Sequence, residues 1–469
     1  MSLSNILIFI GLALVSASLL KGSGRKPLLL IISILAIYWL QPATPIRNLD
    51  FWLPTLTIAI SVFTWAYTRQ EKGAVSKADQ KTALLITSVI LLISLTRYFF
   101  PLCCLTVTRP PEIFQIIVLI MLVVIITQTI NHWISGNKNL IQTAVIKIIV
   151  LFIFLKTEVL ALWLSTVLRN FTGQSVELAT AFDIRWLGFS YVAFRLLHTL
   201  RDRMNNRLPE TSLSNFITFI IFFPALTAGP IDKIQRFGKD LDDDFILNPN
   251  QILLAGKRIV IGIFMKFAIA DSLAIFALNS TNHLETQSTI WMWVLTYAYA
   301  FRIFFDFAGY TQIAIGLGML FGIQLPENFD QPYRKSNLTA FWNSWHMTLA
   351  QWFRGYFFNP LTRALRSRKV SIPVIILFGQ LGTMVLLGLW HGITWNFVIW
   401  GLWHGIGLFI HNRWVEFTKS RPLISNQKVA ESLGVLLTFH FVVLGWVWFA
   451  LPDPSDAIHT FQVLFGGGA

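Results

Sequence analysis

The sequence predicts an all-α, polytopic transmembrane bundle, and three observations carry that prediction. Of the 469 residues, 55% are hydrophobic and 13% charged, about half the charged share of an ordinary soluble domain. The apolar residues come in long blocks rather than at amphipathic spacing, and from Ile113 to Ile130 no side chain is ionisable. At about 1.5 Å per residue that block nearly matches a hydrocarbon core roughly 30 Å thick. Lipid cannot satisfy backbone amides, so such a block must be a helix.

Blocks of comparable length fall at 4–20, 27–41, 51–67, 82–100, 142–168, 213–229, 252–279, 289–323, 371–389, 393–410 and 432–451. The 289–323 block is long enough for two passes, and 142–168 and 252–279 contain lysines. Together they predict about 11 to 14 membrane helices, some short, tilted or re-entrant. No soluble domain of ordinary size fits between them, so the reading is one membrane domain over 1–469. The N-terminal segment has no basic residues before its apolar run and reads as a retained first span rather than a removed signal peptide.

The net charge of +14 raises nucleic-acid binding, but the basic residues are spread over short loops: Lys21, Arg25 and Lys26, then Arg69, Lys72, Lys77 and Lys81. Positive-inside bias explains them, making those loops cytoplasmic and placing the N-terminus outside. Nucleic acid is therefore not expected as a partner, and the lipid bilayer is. The two cysteines, Cys103 and Cys104, are neighbours and offer no separated pair for a disulfide framework.

Residues 1–170 are mainly Leu, Ile and Val and read as scaffold; 413–469 read as a C-terminal loop and last helix. Between about 185 and 412, histidines, aromatic residues and charges enter the apolar runs. Polar groups are costly inside a membrane unless protein lines a cavity around them, so this is the expected functional core. Arg195, Arg201, Arg203 and Arg207, the charged stretch Asp232 to Asp244, and Arg363 to Lys369 read as solvated loops near headgroups.

Three elements concentrate the chemistry. In FRIFFDFAGYTQIAIGLGMLFGIQLPENFDQPY, residues 301–333, Arg302 and Asp306 share a helix face; they either neutralise each other or contact a ligand. Gly309, Gly316, Gly318 and Gly322 permit close helix approach, and Pro326 ends the helical run, leaving Asn328 in a loop. In LTAFWNSWHMTLAQWFRGYFFNP, residues 338–360, Trp342, Trp345 and Trp352 suit an interfacial helix that embeds His346. Arg354 either snorkels or binds an anionic donor group. In VLLGLWHGITWNFVIWGLWHG, residues 385–405, His391 follows an apolar run, flanked by Trp390 with Asn396 close behind. A desolvated, neutral imidazole can take a proton from a hydroxyl attacking a carbonyl. The tripeptide Trp-His-Gly recurs at 403–405, and spacing alone does not say which copy does chemistry. His346, His391, His404 and His411 show no HExxH or paired-cysteine spacing, so no metal site is expected. No GxSxG elbow supplies a serine nucleophile. A transporter is the rival of another class, although no paired hydropathy halves support it.

Taken in order, FFDFAGYTQIAIGLG, PENFDQPY, FWNSWHMTL, WFRGY and GLWHGITWNFVIWGLWHG resemble the membrane-bound O-acyltransferase family. The likeness is to its bacterial branch of alginate O-acetyltransferase membrane subunits and teichoic acid D-alanyl transfer proteins. FFPALTAGPI at 222–231 and FMKFAIADSLA at 264–274 add to it. The resemblance implies a ring of helices around a central tunnel in the bacterial inner membrane, His391 as catalytic base and His346 as the second active-site histidine. Arg302, Asp306, Tyr310, Asn328, Trp345, Arg354, Trp390 and Asn396 are the candidate substrate- or donor-binding residues. It implies no permanent cofactor, a thioester donor (acetyl-CoA or an acyl carrier protein), a glycan acceptor and a periplasmic esterase-like partner. Gly355 stands where relatives commonly carry an acidic residue.

Overall fold

The computed structural model describes residues 2–19, 24–70, 74–99, 105–134, 137–419, 424 and 426–467. Cys103, Cys104, Lys21, Lys72 and Gly468 lie outside the described residues. The described chain is all-α, with no β-strand, and divides into two compact units: Met1–Ile259 with Ile313–Leu325, and Val260–Gln312 with Pro326–Ala469.

Among the described residues, seven helices are long and apolar enough to cross a membrane. Four lie in the first half of the chain, Leu49–Thr68, Lys77–Tyr98, Ile113–His132 and Lys138–Lys156; Thr289–Leu320, Ile372–His391 and Gln427–Ala450 follow. Of the remaining apolar blocks, 393–410 forms the continuous 24-residue helix Trp395–Thr418, and the others form shorter or broken helices. The 142–168 block breaks at Thr157 into Lys138–Lys156 and Glu158–Phe171, and 252–279 passes from Pro249–Ile263 through a π-turn, Phe264–Ala270, into Asp271–Ala274. The exposed apolar residues Phe114, Met121, Leu122 and Ile125 show why Ile113–Thr129 needs lipid: a face of that kind is stable only in an apolar solvent.

The block at 289–323 is not two passes but one helix, Thr289–Leu320, of 32 residues. Interior glycines cost a helix only about 1 kcal/mol each relative to alanine, so they do not break it. Nor does Pro326 end it. Gly322 does, at φ +75°, with the Ile323 N–H donating to Gly318 O at 2.8 Å in the manner of a left-handed helix cap.

In the first unit, several charges expected in solvated loops are instead built into the structure. Arg195 is 2% exposed; its guanidinium donates to the carbonyls of Phe219, Ile220 and Ala225 at 3.0, 2.8 and 2.8 Å. Those carbonyls end the helix Leu213–Ile221 and its following turn, where backbone acceptors lack intrahelical donors. The Asp232–Asp244 stretch is likewise not a free loop but contains the helix Ile234–Asp242. Asp232 is buried and pairs with Arg236, Lys26 meets Asp242 at 2.6 Å, and Arg25 donates to the carbonyls of Asp240, Asp243, Phe321 and Gly322. By contrast Arg363, Arg366, Arg368 and Lys369 are exposed.

Asp183 anchors the connection after Glu158–Phe171. It accepts from Ser165 Oγ at 2.7 Å, Arg169 Nε at 2.7 Å and Thr180 Oγ1 at 2.6 Å. Burial pushes its carboxyl up, but the bonds from Arg169, Thr180 and Ser165 outweigh burial and hold it down at about 2, against about 3.9 for a free aspartate. A depressed carboxylate stabilises the fold fully above its unfolded value and loses that contribution as pH falls through its folded value. Asp183→Asn is therefore expected to cost about 2–3 kcal/mol at neutral pH, a deficit that shrinks between pH 4 and 2. Thermal melts of both proteins in detergent across that range check it.

In the second unit the helices Ile372–His391 and Trp395–Thr418 form a hairpin around Gly392–Thr394. Gln427–Ala450 and Pro454–Leu464 follow. Leu278, Met292, Leu295, Val447, Leu451 and Ala457 make a buried apolar cluster here.

Candidate active site

The segment 338–360 is not a single interfacial helix. It runs as Leu338–Trp342, a junction at His346, Met347–Phe353 and a π-turn Arg354–Phe358. Trp342 and Trp345 are 7% and 5% exposed, buried against aromatic rings rather than half wet. Trp345 lies 5.6 Å from Phe341 and 5.0 Å from Trp446 between centroids. His346 has φ +41°, a left-handed conformation that costs a non-glycine residue about 1–2 kcal/mol and persists where surroundings over-determine it.

Asn328 over-determines it. This asparagine is fully buried, and its Oδ1 accepts from the Thr348 N–H at 3.2 Å and Thr348 Oγ1 at 2.9 Å. Its backbone carbonyl accepts from the Met347 N–H at 2.9 Å. Because a backbone N–H donates to Oδ1, that atom is the amide oxygen, which can only accept. His346 Nδ1, 3.1 Å from it, must then carry the proton. In the neutral ring the lone pair sits on Nε2, a buried atom with no hydrogen-bond partner among the described residues.

The ring faces a cavity of about 30 Å³ that His391 also lines, with Phe307, Trp342, Trp400, Trp446 and Phe449 among its walls. His391 is the last residue of Ile372–His391, half-buried, with Phe449 and Phe397 rings at 4.6 and 5.8 Å. Trp390 bridges the pair, 4.5 Å from His391 and 6.1 Å from His346 between centroids. The repeated Trp-His-Gly is resolved by position: His404 is fully buried, neither ring nitrogen has a hydrogen-bond partner among the described residues, and Trp342, Trp400 and Phe441 wall it in. His411 contacts Thr339 Oγ1 instead, and among the described residues no three metal-binding side chains come together.

Beside this cavity lies a larger hollow of about 200 Å³, which shares Trp342, Ala350 and Leu387 with it and carries Arg354, Asn343 and Gln380. Arg354 is exposed and donates to Asn343 Oδ1 at 2.5 Å. Other candidates lie elsewhere. The expected Arg302–Asp306 pair is absent, because Lys266, delivered by the π-turn Phe264–Ala270, pairs with Asp306. Lys266 gets there because Gly309 seats its backbone: a Cβ on Gly309 would lie 2.9 Å from Lys266 N. Tyr310 is buried, and neither it nor Arg302 or Asp306 lines the cavity. Asn396 donates to Leu451 O at 2.6 Å, tying the hairpin to the end of Gln427–Ala450.

Trp446 and Phe449 line the cavity although they lie beyond residues 185–412. On an apolar helix nothing in sequence separates a cavity-facing ring from a lipid-facing one. Lys266 and Thr348 were also missed as working residues; both stood inside motifs already singled out, and only their partners were invisible.

The fold and this site define a multi-pass membrane enzyme with a histidine-bearing, aromatic-walled cavity. Residues 104–451 match the model of the membrane-bound O-acyltransferase family; the chain belongs to that family and is an acyltransferase. It is 32% identical over 296 residues to the teichoic acid D-alanyltransferase of Streptococcus thermophilus, covering 57% of this chain and 68% of that protein. It is 30% identical over 272 residues to the teichoic acid D-alanyltransferase of Bacillus subtilis, covering 57% and 69%. It is 35% identical over 304 residues to the peptidoglycan O-acetyltransferase of Helicobacter pylori, covering 61% and 56%.

Proposed function

We propose that this acyltransferase moves an acetyl group from a cytoplasmic thioester, acetyl-CoA or an acyl carrier protein, to a hydroxyl of an exported polysaccharide or envelope glycan at the bacterial inner membrane. The observation that carries this reading is that His346 and His391, 45 positions apart in sequence numbering, line one enclosed cavity. His391 is the base. It takes the proton of an acceptor hydroxyl, or of a relay hydroxyl, as that oxygen attacks the thioester carbonyl, the C–S bond breaks, and the thiolate leaves protonated. His346 presents a lone pair at Nε2, so it orients the acceptor by accepting a hydrogen bond from a second hydroxyl, leaving the attacking hydroxyl's proton to His391. The neighbouring hollow with Arg354 suits the phosphate-bearing end of a donor, since guanidinium binds phosphate by charge-assisted hydrogen bonds. Where the hydroxyl is a relay, a periplasmic esterase-like partner completes delivery to the glycan.

D-alanyl transfer to a teichoic acid is the second reading, favoured by the two relatives that carry that name. Mass spectrometry of envelope glycans from cells with and without this protein separates them. Loss of acetyl esters supports the first, loss of D-alanyl esters the second, and an unchanged ester profile overturns both.

A further inference from the structure

A cavity of about 580 Å³ lies far along the chain from the histidines of the candidate site, within the first unit. Three helices bound it, Leu49–Thr68, Lys77–Leu95 and Ile113–Thr129, and its walls include Ile58, Ile90, Ile120 and Val123. The volume is in the range of a site that takes a small molecule. One wall, the helix Ile113–Thr129, has apolar side chains largely exposed, so in a membrane it faces the bilayer.

At one end of this apolar space sits Asn131. It is 3% exposed, and among the described residues neither Nδ2 nor Oδ1 has a hydrogen-bond partner. A buried amide left unsatisfied is costly, and Asn131 lines the cavity. It stands in a π-turn, Ile130–Ile134, that ends the helix Ile113–Thr129, a local geometry frequent at functional sites. Asp79 shares this end, with its carboxylate accepting from the Leu213 N–H at 2.7 Å. Among the described lining residues there is no lysine or arginine. The polar end coincides with the side that carries Lys77, Lys81 and Lys138, which the positive-inside rule makes cytoplasmic.

We propose that this cavity is a site for one acyl chain of a cytoplasmic-leaflet glycerolipid, with the lipid's ester group hydrogen-bonded to Asn131. Lipid tails gain little by exchanging bilayer for protein, since both are equally apolar; selectivity must come from filling the space and satisfying the amide. Nδ2 donates to an ester carbonyl. The Asp79 carboxylate disfavours seating a phosphate here, and the described lining offers no lysine or arginine and only the His132 imidazole against it, so the phosphate stays at the interface while the ester reaches Asn131. The site does not depend on which acyl group the enzyme transfers.

The test uses full-length protein in phosphatidylethanolamine and phosphatidylglycerol vesicles, with a phospholipid carrying a photoreactive group in its acyl chain. Labelling is expected to be saturable and to map to the cavity faces of Lys77–Leu95 and Ile113–Thr129. Val123→Trp, which fills the space, should abolish that labelling while the thermal melt stays near wild type. Asn131→Leu should weaken phospholipid labelling about 3–10-fold, the worth of one hydrogen bond, and leave labelling by a photoreactive alkane unchanged. Non-saturable labelling spread evenly around the outer helix would show bulk lipid only and overturn the proposal. No labelling of the cavity faces would overturn it too, and so would a free fatty acid probe that outcompetes the phospholipid.

Discussion

Replacing His391 by alanine is expected to lower acyl transfer per folded molecule by about 10²–10⁴-fold, the usual contribution of a positioned general base. Protein abundance should change little. The ring is half-buried at the end of a helix, and its neighbours Phe397, Phe449 and Trp400 also pack on one another, so much of the wall survives truncation. His404→Ala is the matched comparison. It empties a fully buried aromatic cage, which should cost about 2–5 kcal/mol of stability, yet transfer per folded molecule should fall only in step with folding. Initial rates with purified, quantified protein, normalised to the folded fraction, check both. A His391→Ala enzyme that keeps its rate would remove the base assignment, and a His404→Ala enzyme that folds well but is inactive would move the chemistry to the second Trp-His-Gly. The cavity of about 30 Å³ holds no more than a water or two, so its aromatic walls must part to admit a thioester and a hydroxyl.

Gly388→Ala is expected to abolish both folding yield and transfer. A Cβ at that position would sit 2.1 Å from the Phe397 carbonyl oxygen and 3.3 Å from the Trp400 ring. Neither yields easily: the oxygen is backbone on the partner helix of the hairpin, and Trp400 is 1% exposed. The helices Ile372–His391 and Trp395–Thr418 would have to separate, at a cost of about 3 kcal/mol or more, and His391 lies one helical turn further on. Gly355→Ala is the control, because a Cβ there meets nothing within 4 Å; its effect should stay within about 0.5 kcal/mol. Thermal unfolding in detergent distinguishes them, and a Gly388→Ala protein that melts with the wild type would show that the close helix approach is not what holds His391 in place.

Most of the helices were readable because uncharged runs such as 113–130 leave the backbone no other option in lipid. The errors came where polar residues had to find partners. Asp306 has Arg302 one turn away on its own helix, yet it pairs with Lys266, because a π-turn and a seated glycine bring a more distant lysine closer. Arg195 and the Asp232–Asp244 stretch read as solvated, since long charged side chains usually are; instead Arg195 binds the carbonyls of Phe219 and Ile220, Asp242 pairs with the distant Lys26, and Asp232 pairs with Arg236 one turn away. The three tryptophans around His346 carry an interfacial composition, but two of them are packed into an aromatic wall.

Composition and block length determined by themselves that this chain is a helical membrane protein, because transfer from water to lipid depends on residues added one by one along a segment. The ordered motifs likewise singled out His346 and His391. Tertiary structure alone decided which Trp-His-Gly faces a cavity, which nitrogen of His346 bears the proton, and that rings from Gln427–Ala450 close the chamber. Those are matters of direction and pairing, settled by side chains that meet only after the backbone has folded, and no local pattern encodes them.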